Sequence, residues 1–440
     1  MSATGLIFLS AFILGCMLAL SRHAIYGVMT YVIVVFVSPG DRWWGQDALG
    51  DIRWSLVAAI VTLAALLLHR PVSHATPFWR QPFVIGVLAF LFWLLMQSLW
   101  ALSPVSHSEL TSYYVKYVVA IGLLYLSLDR PEHVRLFMWA YFIGCCFLAW
   151  VSYTSFAGGR FDSFGGASIN DANTGALVTV TGLLVAVGLL LAEKGWLRVT
   201  ILLAAPFMVN SLVATESRTG FLALVGGMGT FFMLGTRRTR KFILMISALG
   251  LVLFVALSNA AYWERIGTIA FMGKQVEGLD TGHKRLLLIQ AQWRMFKLHP
   301  LGCGSRCTDV LSGEFLDSTQ LTGHRDEEKA RSSHNTPMTM LVEHGVPGAA
   351  FYLLMLLWVL RSVQTMRRYA GSEMIGFAPE YLPAVAGVFV SILIADQFVQ
   401  MPKLEPRLWF ATVLMVMLEL STRQREARHQ APQDLEVAKC

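Results

Sequence analysis

Thirteen apolar segments, each close to the length that crosses a lipid bilayer, recur along the 440-residue chain. A membrane-spanning helix needs about 20 mostly apolar residues, with a range of about 17–25. The composition agrees, because 55% of the residues are hydrophobic and only 14% are charged, whereas a soluble protein is about a quarter charged. The sequence therefore predicts one all-α polytopic membrane domain with about 12 (12–13) transmembrane helices. The predicted spans are 4–20, 24–38, 54–69, 83–101, 113–128, 132–154, 174–192, 198–214, 219–235, 242–259, 335–360, 381–398 and 406–421.

The basic surplus and the cysteine count exclude other classes of protein. A net charge of +7 on a membrane protein marks its cytoplasmic face, so we expect no nucleic-acid partner. Six cysteines in a chain of this length are too few for a disulfide scaffold. No Lys or Arg precedes Arg22, so the first apolar segment lacks the basic start of a signal peptide, and we expect the mature protein to keep it.

Lys and Arg are distributed unequally between the two sets of alternate loops. One set, with the residues from 422 onwards, holds eighteen, and the short loops of the other set hold six. Because basic loops stay in the cytoplasm, the long polar segment is predicted to lie outside it. The predicted organisation is one integral membrane domain: N-terminal transmembrane helices 1–260, a large periplasmic loop 261–334, C-terminal transmembrane helices 335–421 and a cytoplasmic tail 422–440.

The large loop contains an apolar helical pattern. Leu286, Ile289, Trp293 and Phe296 share one face of a predicted amphipathic helix. Such a helix suits the membrane surface and equally suits packing against the bundle, and the pattern does not choose between them. Cys303 and Cys307, further along the loop, are predicted either to form a tight disulfide or to remain free thiols.

Candidate site residues were sought among ionisable groups at membrane depth or at the outer ends of spans, where they are energetically costly. Arg218, in Thr215-Glu216-Ser217-Arg218-Thr219-Gly220, lies at a predicted helix start. An Arg fork beside helix-terminal N–H groups binds anions, phosphate above all. The alternative is an interfacial arginine that reaches for the headgroups or pairs with Glu216.

A second candidate is Arg285, in His283-Lys284-Arg285 at the start of the amphipathic helix. Three cationic groups in a row suit an anion. Charges at the end of a surface helix are also common, so this pattern alone leaves a purely structural role open.

A third candidate is His334, in Ser332-Ser333-His334-Asn335-Thr336-Pro337, where the chain re-enters the membrane. Ser333 or Asn335 can cap the helix, which puts the imidazole at the mouth of the bundle, where it can take a proton from a hydroxyl. The alternative is a structural histidine at a cap. Glu343 and His344 follow, just before the break at 345–348, and either orient a site or satisfy each other and freed backbone groups.

A fourth candidate is the Gly/Asn-rich outer loop that contains Arg160 and Asn173. Its glycines, at 158–159 and 165–166, let the backbone approach a ligand closely. A flexible connector has the same composition, so this loop does not identify a function by itself.

The order of these elements resembles that of the bacterial O-antigen ligases and the wider ligase/polymerase superfamily of membrane glycan transferases. The matching elements span roughly residues 150–360, and the Ser-Arg-Gly element departs from the pattern by the inserted Thr219. They are Arg160 through Asn173, Ser217-Arg218-Thr219-Gly220, Arg265-Ile266-Gly267 with Arg285 through Gly304, and Ser333-His334-Asn335 leading to Glu343-His344-Gly345-Val346-Pro347-Gly348.

The resemblance implies transfer of a glycan from an undecaprenyl diphosphate-linked donor to a hydroxyl of lipid A-core, at the periplasmic face of the bacterial inner membrane. It implies no cofactor and no metal. Arg218 and Arg285 correspond to a diphosphate clamp and His334 to the catalytic base, which predicts inversion at the anomeric carbon. Arg160, Asn173, Glu343 and His344 are the supporting residues.

Three alternatives remain open. The superfamily also includes O-antigen polymerases and ligases that place glycan on protein or on another acceptor. A transporter or flippase belongs to a different class and would carry charged residues along a path through several spans. The sequence shows charges clustered at one end instead, with Lys116, Glu343, His344 and Asp396 as exceptions.

Overall fold

The computed structural model describes residues 2–69, 71–72, 74–166, 169, 171–258, 260–267, 283–316, 334–370, 377–401 and 403–437. These parts of the chain are helical and contain no strand. Short 3-10 turns lie at Pro39–Asp41 and Phe78–Arg80. The α-helices are α1 (Ala3–Ser21), α2 (Ile25–Val37), α3 (Gln46–Leu49), α4 (Trp54–Leu68), α5 (Pro82–Gln97), α6 (Pro104–Ser127), α7 (Pro131–Ser155), α8 (Ala172–Ala192), α9 (Gly195–Ala214), α10 (Arg218–Leu234), α11 (Arg237–Leu257), α12 (Ala260–Gly267), α13 (His283–Leu298), α14 (Cys307–Phe315), α15 (Thr336–Ala370), α16 (Tyr381–Asp396) and α17 (Glu405–Val437).

Seven helices are long and apolar enough to cross a membrane: α1, α6, α7, α8, α9, α11 and α15. Five shorter apolar helices accompany them, namely α2, α4, α5, α10 and α16. The first half of α17 is buried and largely apolar, but it carries Glu405, Arg407 and Glu419. The polytopic helical architecture is therefore confirmed, and the count of 12–13 spans stays a prediction.

Several predicted boundaries differ from the observed helices. Helix α6 begins at Pro104, nine residues before the predicted span, and α17 continues to Val437 through the region predicted as a tail. The apolar segment indicates only the part of a helix that lies in lipid. Residues that favour helix, such as Gln, Glu, Arg and Ala, allow the helix to continue beyond that part. The predicted break at 345–348 is present, because Gly345 adopts φ 67° inside α15.

The bundle is built around α8, of which 83% of the apolar stretch is buried, whereas α1 and α11 are buried over only 17% and 11%. Helices α10 and α16 pack closely together. A Cβ added to Gly387 would lie 3.0 Å from the Gly227 carbonyl oxygen. Small residues at such a crossing allow the close backbone approach on which helix packing in lipid depends.

The buried face of helix α13 only partly overlaps the predicted one, because Phe296 packs against the buried cluster but Trp293 does not. Leu288, Ala291 and Met295 pack against α14 and Val342, whereas Trp293 is 50% exposed. Leu286 has a side chain outside the described set. Because four consecutive apolar residues lie at 286–289, the sequence permits more than one face of this helix to be buried. Helix α13 thus packs on the bundle by one face and leaves Trp293 exposed.

Contacts between loops follow the predicted division into two sets. In the set with more Lys and Arg, Arg135 pairs with Glu193 at 2.6 Å. In the other set, Arg42 donates to the Phe164 carbonyl at 2.7 Å, and the Leu102 N–H donates to the Cys303 carbonyl at 2.9 Å. The second set therefore meets at one end of the bundle.

Candidate functional site

A polar cavity of about 600 Å³ opens at that end of the bundle. It lies between the first turns of α6 and α8, the loop before α8, the start of α14, and the loops that precede α15 and α17. Four of the predicted site residues, Arg160, Asn173, His334 and Glu343, line it. The other lining residues are Ser106, Glu109, Leu110, Tyr113, Asp162, Asp171, Ala172, Thr174, Ser305, Arg306, Asp309, Val399, Gln400, Met401, Lys403 and Leu404.

Asn173 connects two of the predicted loci. Its Oδ1 accepts a hydrogen bond from Nη2 of Arg160 at 3.1 Å and another from the hydroxyl of Ser217 at 2.9 Å. Arg160 also donates through Nε to the Thr215 carbonyl at 3.1 Å. Asp171 caps α8 by accepting from the N–H groups of Asn173 and Thr174. The Arg160 loop and the turn before α10 are thereby joined into one surface.

Arg218 is the first residue of α10 and is half-buried. Ser217 caps this helix, with its hydroxyl oxygen accepting from the Gly220 N–H at 3.1 Å. The side chain at position 218 therefore starts where the unpaired N–H groups and the positive end of the helix dipole favour an anion. Arg285 is the third residue of α13, and its side chain lies outside the described residues.

His334 is an exposed residue in the left-handed region, with φ 48°. Asn335 holds the adjoining helix end, because its Oδ1 accepts from the Met338 N–H at 2.8 Å and its Nδ2 donates to the Gln397 carbonyl at 3.2 Å. Thr336 donates to the Val399 carbonyl at 2.8 Å. The predicted cap by Asn335 is confirmed, and the loop between α16 and α17 fixes the position of His334.

Glu343 and His344 are adjacent in sequence but lie in different surroundings. Glu343 reaches the cavity, where its Oε1 accepts from Thr308 at 3.1 Å and from Gln400 at 3.3 Å. His344 is fully buried, and its Nδ1 lies 2.9 Å from Oε1 of Gln97. Glu343 therefore lines the cavity although the residue is only 1% exposed, whereas His344 contacts the helices behind it.

Arg306 is a cation on the cavity wall that was not predicted from the sequence. Arg306 pairs with Asp309 at 2.9 Å, and this hydrogen bond raises the pKa of the guanidinium. Lys403 pairs with Glu109 at 2.8 Å. The position of Arg306 between Cys303 and Cys307, which are joined by a disulfide with Cα atoms 5.7 Å apart, was a signal that could have drawn attention to it.

The described lining carries five carboxylates and three cations of Lys or Arg. Such a wall is suited to the hydroxyl groups of a sugar, since carboxylates accept and ammonium or guanidinium groups donate hydrogen bonds. It is less suited to a diphosphate, which needs a surplus of cations. Arg218 is not among the described lining residues, and the side chain of Arg285 lies outside the described residues.

Left-handed backbone conformations gather at this end of the molecule. Among the described residues other than glycine, φ is positive at Ser38, Glu216, Arg306 and His334. Arg306 and His334 line the cavity, and Glu216 is two residues from Arg218. Such conformations cost about 1–3 kcal/mol each and persist where the surroundings enforce them, as at functional sites. No sequence motif predicted this clustering.

The described residues place a metal-like grouping of side chains elsewhere. His23, Asp129 and His133 have the spacing of metal ligands, and they lie among the loops that carry more Lys and Arg, away from the cavity.

Comparison with known proteins concerns the same region of the chain. Residues 203–353 match the model of the family described as O-Antigen ligase, Wzy_C. The match runs from α9 into α15 and includes Arg218, His334 and Glu343, whereas Arg160 and Asn173 precede it. No curated protein matches the chain. The matched segment, about a third of the chain, is an O-antigen ligase domain, the type of domain found in glycan-transferring enzymes.

Proposed function

We propose that this protein transfers a glycan from undecaprenyl diphosphate to a hydroxyl group of lipid A-core, at the periplasmic face of the bacterial inner membrane. The observation that carries the proposal is the polar cavity, in which His334 and Glu343 of the matched domain meet Arg160 and Asn173 of the preceding loop. A ligand in this cavity contacts residues of both regions.

The leaving group of the proposed reaction is a lipid diphosphate, on which negative charge develops as the glycosidic bond breaks. Fixed cations and helix N-termini stabilise such charge. Arg218 begins α10 beside the Ser217 cap, which supports its role in a diphosphate clamp. Arg285, at the start of α13, is the proposed second arm, and its role rests on the family resemblance.

The nucleophile is a sugar hydroxyl, which must lose its proton as it attacks. His334 is exposed to the cavity and held by the cap at Asn335, and a positioned imidazole acts well as a general base near neutral pH. Attack by the hydroxyl on the face opposite the diphosphate inverts the anomeric carbon. The donor is already activated, so the proposed reaction needs neither metal nor nucleotide.

Two observations support a periplasmic cavity. The loops at the opposite end hold the excess of Lys and Arg, which marks the cytoplasmic side. The Cys303–Cys307 disulfide adjoins the cavity through Ser305 and Arg306, and disulfides persist in oxidising compartments such as the periplasm.

The surface glycans of a strain that lacks this protein test the proposal. We expect polymer attached to lipid A-core to disappear and lipid-linked polymer to accumulate. A single capped repeat on lipid A-core would instead identify a polymerase. Unchanged lipopolysaccharide with loss of glycan from proteins would identify a protein ligase. Unchanged transfer, with a changed distribution of lipid-linked glycan across the membrane, would identify a transporter or flippase.

A further inference from the structure

Three side chains meet at the end of the bundle opposite the cavity, from separate segments of the chain. His23 lies in the turn between α1 and α2, Asp129 in the turn between α6 and α7, and His133 in the first turn of α7. Nδ1 of His133 is 2.7 Å from Oδ1 of Asp129, and Nε2 of His23 is 3.5 Å from Oδ2. The candidate ligand atoms all lie within 4.8 Å of one another.

These distances are close to those within a metal site. Imidazole nitrogens and carboxylate oxygens bind Zn²⁺ at about 2.0–2.2 Å, so two ligand atoms of a tetrahedral ion are about 3.4 Å apart. Two imidazoles with one carboxylate form a ligand set that is common for zinc and related ions, with one position left for water. The two observed separations lie on either side of the expected value, so small side-chain shifts suffice to admit an ion.

The surroundings of Asp129 resemble the outer shell of a metal site. Its side chain is only 1% exposed, and the Val72 N–H donates to its Oδ2 at 2.8 Å. A hydrogen bond of this kind fixes the direction of a ligating carboxylate. The side chains of His23 and His133 are 20% and 13% exposed, which leaves a route for an ion from water.

Hydrogen bonds of both histidines must change when a metal binds, including the 2.7 Å bond between Nδ1 of His133 and Oδ1 of Asp129. Nδ1 of His23 accepts from the Ile25 N–H at 3.1 Å, so Nε2 carries the ring proton while the site is free of metal. Coordination through Nε2 moves that proton to Nδ1 and breaks the hydrogen bond from Ile25. Since protons and metal then compete for the same nitrogens, the affinity is expected to fall as the pH falls.

A neighbouring cluster offers a comparison. Nε2 of His74 is 2.8 Å from the Tyr125 carbonyl oxygen, and its Nδ1 is 3.3 Å from Oε1 of Glu419. Both ring nitrogens contact oxygens. Among the described residues, the grouping with metal-like spacing is His23, Asp129 and His133, and it does not include His74. His74 therefore provides a control histidine at the same end of the bundle.

We propose that His23, Asp129 and His133 bind one divalent transition-metal ion of the zinc type. The ion fastens the turn between α1 and α2 to the start of α7, and it takes no part in glycan transfer at the opposite end. The proposal does not rest on the proposed function, because its test measures metal binding and unfolding.

The test uses the full chain, purified in detergent and stripped with a chelator. We expect the protein to bind one Zn²⁺ in competition with a zinc indicator, and Co²⁺ to give the visible absorption of a tetrahedral site. His133→Ala and the milder His23→Gln are expected to weaken Zn²⁺ binding at least tenfold, by removal of a ligand. His74→Ala is expected to bind as the wild type does.

Thermal unfolding provides a second measurement, which does not depend on the indicator. Added Zn²⁺ should raise the unfolding temperature of the wild type and of His74→Ala, but not that of His23→Gln. Absence of Zn²⁺ and Co²⁺ binding by the wild type would overturn the proposal and leave a hydrogen-bonded cluster. Equal affinity in the wild type and in a folded His23→Gln variant would overturn it as well.

Discussion

Asn173 accepts a hydrogen bond from Arg160 at 3.1 Å while its Oδ1 also accepts from the Ser217 hydroxyl at 2.9 Å. One carbonyl oxygen thus joins the outer loop before α8 to the turn before α10, next to Arg218. Arg160 lies outside the segment that matches the family and Ser217 lies within it. The preceding helices therefore contribute directly to the geometry of the matched domain.

Asn173→Ala is expected to lower the rate of glycan transfer by about tenfold or more, because misplacement of a binding surface by about 1 Å is costly in rate. The measurement is transfer from a purified lipid-linked donor. Ser163→Ala is the matched control, because the Ser163 hydroxyl lies on the same loop and donates to Oδ1 of the exposed Asp162 at 3.0 Å. Equal loss in both variants would mean that general loop disturbance, and not the Asn173 bridge, is responsible.

His334→Ala is expected to lower the transfer rate by about 10²–10⁴-fold, which is the usual contribution of a positioned general base, while the protein remains folded and inserted. His299→Ala, in the same outer segment after α13, is expected to leave the rate unchanged. Donor binding should persist in both variants. Normal transfer by His334→Ala would rule out the proposed mechanism.

Arg218→Ala and Arg285→Ala are expected to raise the KM for the lipid diphosphate donor and lower kcat, and the Lys variants should recover only part of the loss. Lysine keeps the charge but lacks the planar fork that binds two phosphate oxygens. Arg294→Ala is the control on α13, because Arg294 donates to the Phe315 carbonyl at 3.0 Å. Wild-type donor kinetics in both clamp variants would contradict the assignment.

Gly345→Ala is expected to destabilise the protein by more than about 1 kcal/mol, which is the cost of a left-handed conformation for a residue with a Cβ. A Cβ at this position would also lie 2.3 Å from the Leu301 carbonyl carbon. Gly86→Ala on α5 is the control, because nothing lies within 4 Å of its added Cβ. Thermal unfolding of the two variants in detergent is the measurement, and equal unfolding temperatures would contradict the expectation.

Glycan transfer is expected to survive treatment with EDTA, because the leaving group is stabilised by arginines in the proposed mechanism. The measurement is the transfer rate before and after the chelator, with Zn²⁺ added back. Loss of the unfolding-temperature shift without loss of transfer would assign the metal to the opposite end of the bundle. A transfer rate that falls with EDTA and returns with Zn²⁺ would point to a metal in the reaction.

Sequence periodicity predicted most of the spanning helices, because lipid requires long apolar segments and the chain supplies them one after another. The local preferences of Gly, Pro, Ser and Asn placed a break within residues 345–348 and a cap at Ser333 or Asn335, and the structure shows Gly345 and Asn335 in these roles. The predicted buried face of α13 was right for Phe296 and wrong for Trp293, because apolar residues lie on several sides of this helix and the buried side depends on what packs against it. Arg306 was missed for a related reason, because its neighbours in the cavity come from distant parts of the chain.

The start of α15 is hydrogen-bonded to the loop between α16 and α17, and this contact limits which segments can be exchanged with those of other O-antigen ligase domains. Thr336 and Asn335 bond to the backbone at Val399 and Gln397, which lie more than forty residues beyond the end of the matched segment at 353. A chimaera that exchanged residues 203–353 alone would carry His334 without the matching loop between α16 and α17 that holds its position. An exchange that transfers substrate specificity is therefore expected to include α16 and α17 together with the matched domain.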